Sequence, residues 1–310
     1  MGRILRITAV VALLNLLWIG FSYAKPLSFD NCPNIPFAKG RIFEVTKNGA
    51  PKSYIFGTMH SKRPDVLKLP STASIAIIEV PHVATEVSST EETKAAAFKL
   101  MVLPENENLF SIIGPERTPK VKLAAARYGL PNEFIQRLKP WAMASIFSLS
   151  PEEMHDITTP VLDEMIENIA NENGKRHHAL EKMSEQLGYF NNLSKELQLE
   201  FLDSALLEPK LSEYYKGILR ESYLNGNLGK LHCVTVKLAE EQSAGLKSFV
   251  LDDLLIERNR LMVKRLSPLT RDGVFVAVGA AHLPGEEGIL NLLKRQGYQV
   301  RRLSSFAQPQ

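Results

Sequence analysis

The chain has 310 residues, of which 45% are hydrophobic and 23% charged, with a formal net charge of +3. That apolar content can build a substantial core, which excludes a disordered or fibrous chain. The near balance of charge excludes the basic footprint of a nucleic-acid-binding protein, so a nucleic-acid partner is not expected.

The chain opens with "MGRILR", an apolar run from Ile7 to Phe21 and the small-x-small pattern "SYA" before Lys25. This is the pattern of a cleavable export signal, with cleavage expected after Ala24 and a periplasmic or secreted product. The apolar run is shorter than the roughly 20 residues a membrane span needs, so no stable span is expected after cleavage; an uncleaved anchor is the alternative. Loss of Arg3 and Arg6 takes the formal charge from +3 to +1. Both cysteines, Cys32 and Cys233, lie in the mature part. An oxidising compartment permits them to pair, closing a loop of about 200 residues worth roughly 5 kcal/mol on the chain-entropy model; two free thiols are the other possibility.

"RIFEVTKNGAPKSYIF" reads as two strands around the turn "KNGAP", the second ending in Gly57-Thr58-Met59-His60. A loop of helical character follows, then "AIIEV", read as a short buried strand carrying Glu79. From about 90 to 270 helical periodicity dominates, apart from "KRHHALE", which reads as a strand ending at Glu181. In that helical stretch Met183, Leu187, Phe190, Leu193, Leu197 and Phe201 share one face with Gln186, and Arg258 projects from the apolar stripe Leu251, Leu255, Met262, Leu266. The apolar run from Val274 then leads into Gly279-Ala280-Ala281-His282, the helical "GILNLLKRQGY" and the strand "YQVRRL".

The order strand, Gly-x-x-His, helix, strand therefore occurs twice, with 19 residues from His60 to Glu79 and 18 from His282 to Val300. The expected fold is α/β: a central mixed sheet built from two βαβ-like Gly-x-x-His halves, with a large helical insertion, in a single domain over 25–310. If the two halves lie side by side, His60 and His282 meet at adjacent carboxyl ends of parallel strands, where open α/β sheets build their sites. Two imidazoles and the Glu79 carboxylate form a donor set suited to a divalent transition metal. Each histidine could equally be a hydrogen-bonded turn residue, and Glu79 a strand-end carboxylate paired with a lysine. A guanidinium on an apolar stripe needs a carboxylate or a ligand, so Arg258 reads as a substrate or transition-state contact or as a structural pair. Gln186 orients a ligand or caps a helix contact. His177 and His178 are adjacent and make poor joint ligands.

"YIFGTMH", "IIEV", "ALEKMSEQL", "IERN" and "VAVGAAHLPGEEGILNLLKRQGYQV", in that order, resemble the TraB/GumN family, which is related to the TIKI metalloproteases and to pheromone-shutdown proteins. The resemblance covers about residues 40–303. It implies a metal-dependent peptidase using manganese or cobalt in preference to zinc, with His60, His282 and Glu79 matching the essential set, and Glu181, Gln186, Glu257, Arg258, Asn259, Asp163 and Lys139 to Trp141 matching other segments. The implied partner is a peptide or envelope-derived substrate. A non-catalytic protein that binds a peptide or polysaccharide fragment in the same pocket is the rival expectation.

Overall fold

The computed structural model describes residues 27–206 and 208–304, so the expected export signal lies outside the described residues. Six strands form one mixed sheet: β1 (Ile42–Thr46), β2 (Ser53–Thr58), β3 (His82–Thr85), β4 (Arg176–Ala179), β5 (Val274–Gly279) and β6 (Gln299–Arg302), in the order β4-β3-β5-β2-β1-β6. β4, β3, β5 and β2 run parallel, β1 is antiparallel to β2, and β6 is antiparallel to β1. β2 is buried throughout and β5 at its first five residues, as expected of strands covered on both faces. The edge strands "RHHA" and "QVRR" are short and polar, which discourages pairing with another chain.

The Gly-x-x-His strands β2 and β5 are neighbours, with Thr58 opposite Gly279. The two halves interleave: β5 lies between β2 and β3, and β2 and β1 lie between β5 and β6. Beyond Pro81 comes β3, and "AIIEV" is no strand. Ser71–Glu79 is a helix that buries Ala73, Ala76 and Ile77, the i, i+3, i+4 face of an amphipathic turn. Likewise the stripe from Met183 to Phe201 belongs to two helices, Met183–Asn191 and Lys195–Ala205. The first ends at its C-cap Asn192, and Ser194 caps the second by accepting from Leu197 N at 3.2 Å.

Helices between Glu91 and Leu266, interrupted by β4, enclose a second apolar core around Trp141, Phe190 and Phe249, distinct from the core on the sheet. A π-helical stretch, Phe249–Glu257, runs into the helix Arg258–Leu266. Along this segment Leu254 and Leu255, Arg258 and Asn259, then Met262 and Val263 are buried in successive pairs. One turn of an apolar face is thus polar, and it is aimed at the sheet. Cys32 and Cys233 form a disulfide. Among the described residues no helix is long and apolar enough to cross a membrane.

Candidate active site at the carboxyl edge of the sheet

Along the carboxyl ends of the parallel strands stand, in order, Glu181 after β4, Glu86 after β3, His282 after β5 and His60 after β2. Glycine at both motif positions serves close approach. A Cβ on Gly57 would lie 2.9 Å from Leu283 Cδ1 and 3.2 Å from Ala280 Cα, so β2 passes directly against the turn of the other motif. A Cβ on Gly279 would lie 3.2 Å from Glu86 Oε1, the oxygen that accepts the Gly279 N–H at 2.6 Å. The first glycine packs the two motifs together; the second admits a carboxylate to the backbone.

His282 is fully buried in a short 3-10 turn, Ala280–His282. Asn259 Nδ2 donates to the Glu287 carbonyl at 2.8 Å, and a carbonyl can only accept, so Asn259 Oδ1 faces His282 Nδ1 at 2.7 Å and accepts its N–H. The tautomer is thereby set, and His282 Nε2 keeps a lone pair. It accepts a long hydrogen bond from Arg258 Nη1 at 3.4 Å and lies 3.8 Å from Glu86 Oε1. Burial, reinforced by the Arg258 charge and opposed by Glu86, pushes the imidazole down to about 4, so it is neutral at neutral pH.

Arg258 is wholly buried. Its Nε and Nη2 grip Glu181 at 3.0 and 2.6 Å, and Nη2 also donates to Glu86 Oε2 at 2.7 Å. The arginine is therefore paired with two carboxylates, and these diverge. Burial raises Glu181 above the ordinary carboxylate range. Burial works on Glu86 in the same direction but is outweighed by Arg258 and the Gly279 N–H, which hold it at about 2. Gln186 Nε2 donates to Glu86 Oε2 at 3.2 Å, while its Oε1 is buried without a hydrogen-bond partner.

His60 has Nδ1 3.7 Å from Asp163 Oδ2, and Asp163 Oδ1 accepts from Thr58 Oγ1 at 2.7 Å. Its Nε2 is buried and has no hydrogen-bond partner. Beside this group the Arg41 carbonyl accepts from Gly57 N at 2.7 Å. The Arg41 guanidinium carbon lies 4.9 Å from the centroid of the Tyr223 ring, and Arg41 Nη1 and Tyr223 Oη are also buried without partners.

Glu79 is not part of this edge. It ends its helix exposed and accepts from Tyr54 Oη at 2.5 Å. Tyr54 stands four residues before Thr58 on β2, about 13 Å away at strand rise. The carboxylate that faces His282 is Glu86, the first residue after β3, which sequence reasoning passed over. Its signal was available: like His60 and His282 it lies within three residues of the end of a buried strand. Glu257 is exposed, and Trp141 belongs to the helical core. His177 and His178 turn to different partners, Thr85 and His82.

The unpartnered Nε2 of His60, the Nε2 of His282, which only a long bond from Arg258 Nη1 occupies, and the ionised Glu86 have the donor chemistry of a divalent-cation site. Bonds of about 2.0–2.2 Å to imidazole and carboxylate would need the His282–Glu86 pair, 3.8 Å apart, to draw together only slightly. Among the described residues no three histidine, cysteine, aspartate or glutamate side chains converge on one point. The fit is thus one of donor atoms, with His60 still to be gathered.

The fold and the edge define an α/β protein with a buried polar site built where two Gly-x-x-His turns meet each other and the glutamate that follows the neighbouring strand β3. The chain belongs to the TraB/PrgY/gumN family, whose model matches residues 42–302. It is similar to Metalloprotease TIKI1 of Danio rerio, 26% identical over 86% of this chain and 64% of that protein. It is 25% identical to Metalloprotease TIKI homolog of Amphimedon queenslandica over 88% of this chain and 63% of that protein. For Metalloprotease TIKI1 of Homo sapiens the identity is 24%, over 81% and 59%. The chain spans less than two thirds of the length of each. No solved structure matches it.

Proposed function

We propose that this protein is an exported metal-dependent hydrolase acting on peptide bonds, with His60, His282 and Glu86 as the metal donors. The observation that carries the proposal is the Asn259-set tautomer of His282, which leaves a neutral, buried Nε2 lone pair 3.8 Å from an ionised carboxylate. The names of the relatives support the same chemistry. A divalent metal bound there supplies Lewis acidity toward a carbonyl and a water nucleophile at neutral pH, with manganese or cobalt favoured over zinc by the family resemblance. Arg258 fixes Glu86 and Glu181 and spreads positive charge toward the site, Gln186 holds Glu86 Oε2, and Asp163 faces His60 Nδ1. Glu79, on the opposite edge, has no part in the reaction.

The test is metal analysis of the purified protein with peptide-library cleavage by wild type, His60→Ala, His282→Ala, Glu86→Gln and Glu79→Gln. Wild type and Glu79→Gln are expected to cleave alike, the other three to lose at least about 100-fold. Equal cleavage by all five would sink the assignment. The guanidinium 3.4 Å from His282 Nε2 favours a second reading, because one cation there opposes another. In that reading the pocket binds a peptide or polysaccharide fragment without turnover, and ligand affinity is indifferent to chelator.

A further inference from the structure

A cavity of about 160 Å³ opens beside His60, between the turn that follows β2, the end of the helix Pro140–Ser148 and the helix Pro209–Leu224. Met59 and Leu149 give it apolar walls, and Arg63, Lys216 and Arg220 bring positive charge. Its carboxylates are already engaged. Glu153 accepts from the hydroxyls of Ser61 and Ser150 and from Lys62 N, and Glu213 pairs with Lys216 at 3.4 Å.

The two arginines are different. Arg63 Nε and Arg220 Nη1 both face Asp65, each at 3.7 Å, beyond hydrogen-bond reach. Neither guanidinium makes a hydrogen bond within the described residues, and their side chains are 51% and 33% exposed. Two positive charges with their forked donors unused thus answer one carboxylate, at the rim of a small, partly apolar cavity that His60 lines. A planar fork of N–H groups matches a carboxylate better than any other peptide group.

We propose that this cavity is a carboxylate-recognising subsite, in which Arg63 and Arg220 together seat a carboxylate of a peptide next to His60. The carboxylate comes from the free C-terminus or from an aspartate or glutamate side chain. The inference rests on the hydrolase reading for the fate of the peptide, though not for its capture.

The experiment measures retention by the full-length mature protein in chelator and low salt, by equilibrium dialysis. The probes are N-acetylated tripeptides as free acids and as amides, and amidated tripeptides carrying glutamate or glutamine in the middle. We expect a preference of about tenfold or more for the charged member of at least one pair, the magnitude of a charge-assisted hydrogen bond. It should weaken as salt screens it and vanish in the Arg63→Gln/Arg220→Gln variant, whose changes lie at the surface. The acid/amide pair reports the C-terminus, the glutamate/glutamine pair a side chain. No retention, no preference in either pair, or a preference that survives the double substitution overturns the subsite. A preference that is retained by a protein found to cleave nothing upholds the subsite and removes the hydrolase reading.

Discussion

His282 and Glu86 are held on the basic side of their titrations, and both therefore make the fold acid-sensitive. A histidine near 6.5 when unfolded and about 4 when folded binds fewer protons folded than unfolded between those values. Its contribution is complete above about pH 6.5 and is lost as the pH falls toward 4. Glu86, near 4.3 unfolded and about 2 folded, contributes above about 4.3 and loses that contribution toward 2. Burial also lowers His177, His178 and His232, so they act in the upper window too. The informative quantity is the difference between metal-free wild type and His282→Gln. From pH 7 to 4 wild type should lose up to about 3 kcal/mol more of its urea-unfolding free energy than the variant. Parallel curves would show that His282 is no buried neutral imidazole. Both histidines and Arg258 were legible as candidates because a histidine after a strand glycine and a charge on an apolar stripe break local pattern. Asn259 and Asp163, which only orient them, break none and entered by resemblance alone.

At the scale of elements, the sheet edges and the two Gly-x-x-His strands follow from apolar runs bounded by turns, and these were readable. The error at Glu79 came from β-branched residues in a helix. Ile77 and Ile78 suit a strand locally, but burial of Ala73, Ala76 and Ile77 on one face decides for helix, and the strand begins only at His82, after Pro81. Interleaving of the halves was not readable, because strand order depends on contacts far apart in sequence. The motif glycines test how much of this edge is close packing. Gly279 has φ −51° and ψ 133°, which other residues adopt, so its need for glycine lies in the neighbours a Cβ would meet. Gly279→Ala should force Glu86 off the Gly279 N–H and destabilise by about 1–3 kcal/mol. Gly188→Ala, in a helix with nothing within 4 Å, should instead stabilise by up to about 1 kcal/mol. Urea unfolding of the two variants reads the contrast, and equal effects would refute the packing role.

Over the whole molecule, the segment before β1 ties the helical layer to the site. The disulfide joins Cys32 to Cys233 in the helix Leu228–Glu240. Around it Leu27 N donates to Tyr215 Oη at 3.1 Å, and Gly229 N donates to the Ala38 carbonyl at 2.8 Å. Pro36 O accepts from Gly285 N at 2.9 Å, three residues beyond His282. One strap thus touches two helices and the turn that carries the buried histidine. Its bonds are mostly single backbone contacts, each worth about 1 kcal/mol, so the covalent link dominates its hold. Replacing both cysteines by serine should lower stability by up to about 5 kcal/mol, because the link spans 201 positions. The loss should also be uneven. Hydrogen exchange at Gly229 and Gly285, whose N–H groups the strap accepts, should quicken by more than the loss of global stability that the β2 and β5 amides share. An equal loss of protection at all these amides would mean instead that the strap belongs to the global folding unit. On the metal site proposed above, the same variant should also bind metal more weakly, because the turn of His282 loses the Pro36 contact at Gly285 while the sheet beneath it stays folded.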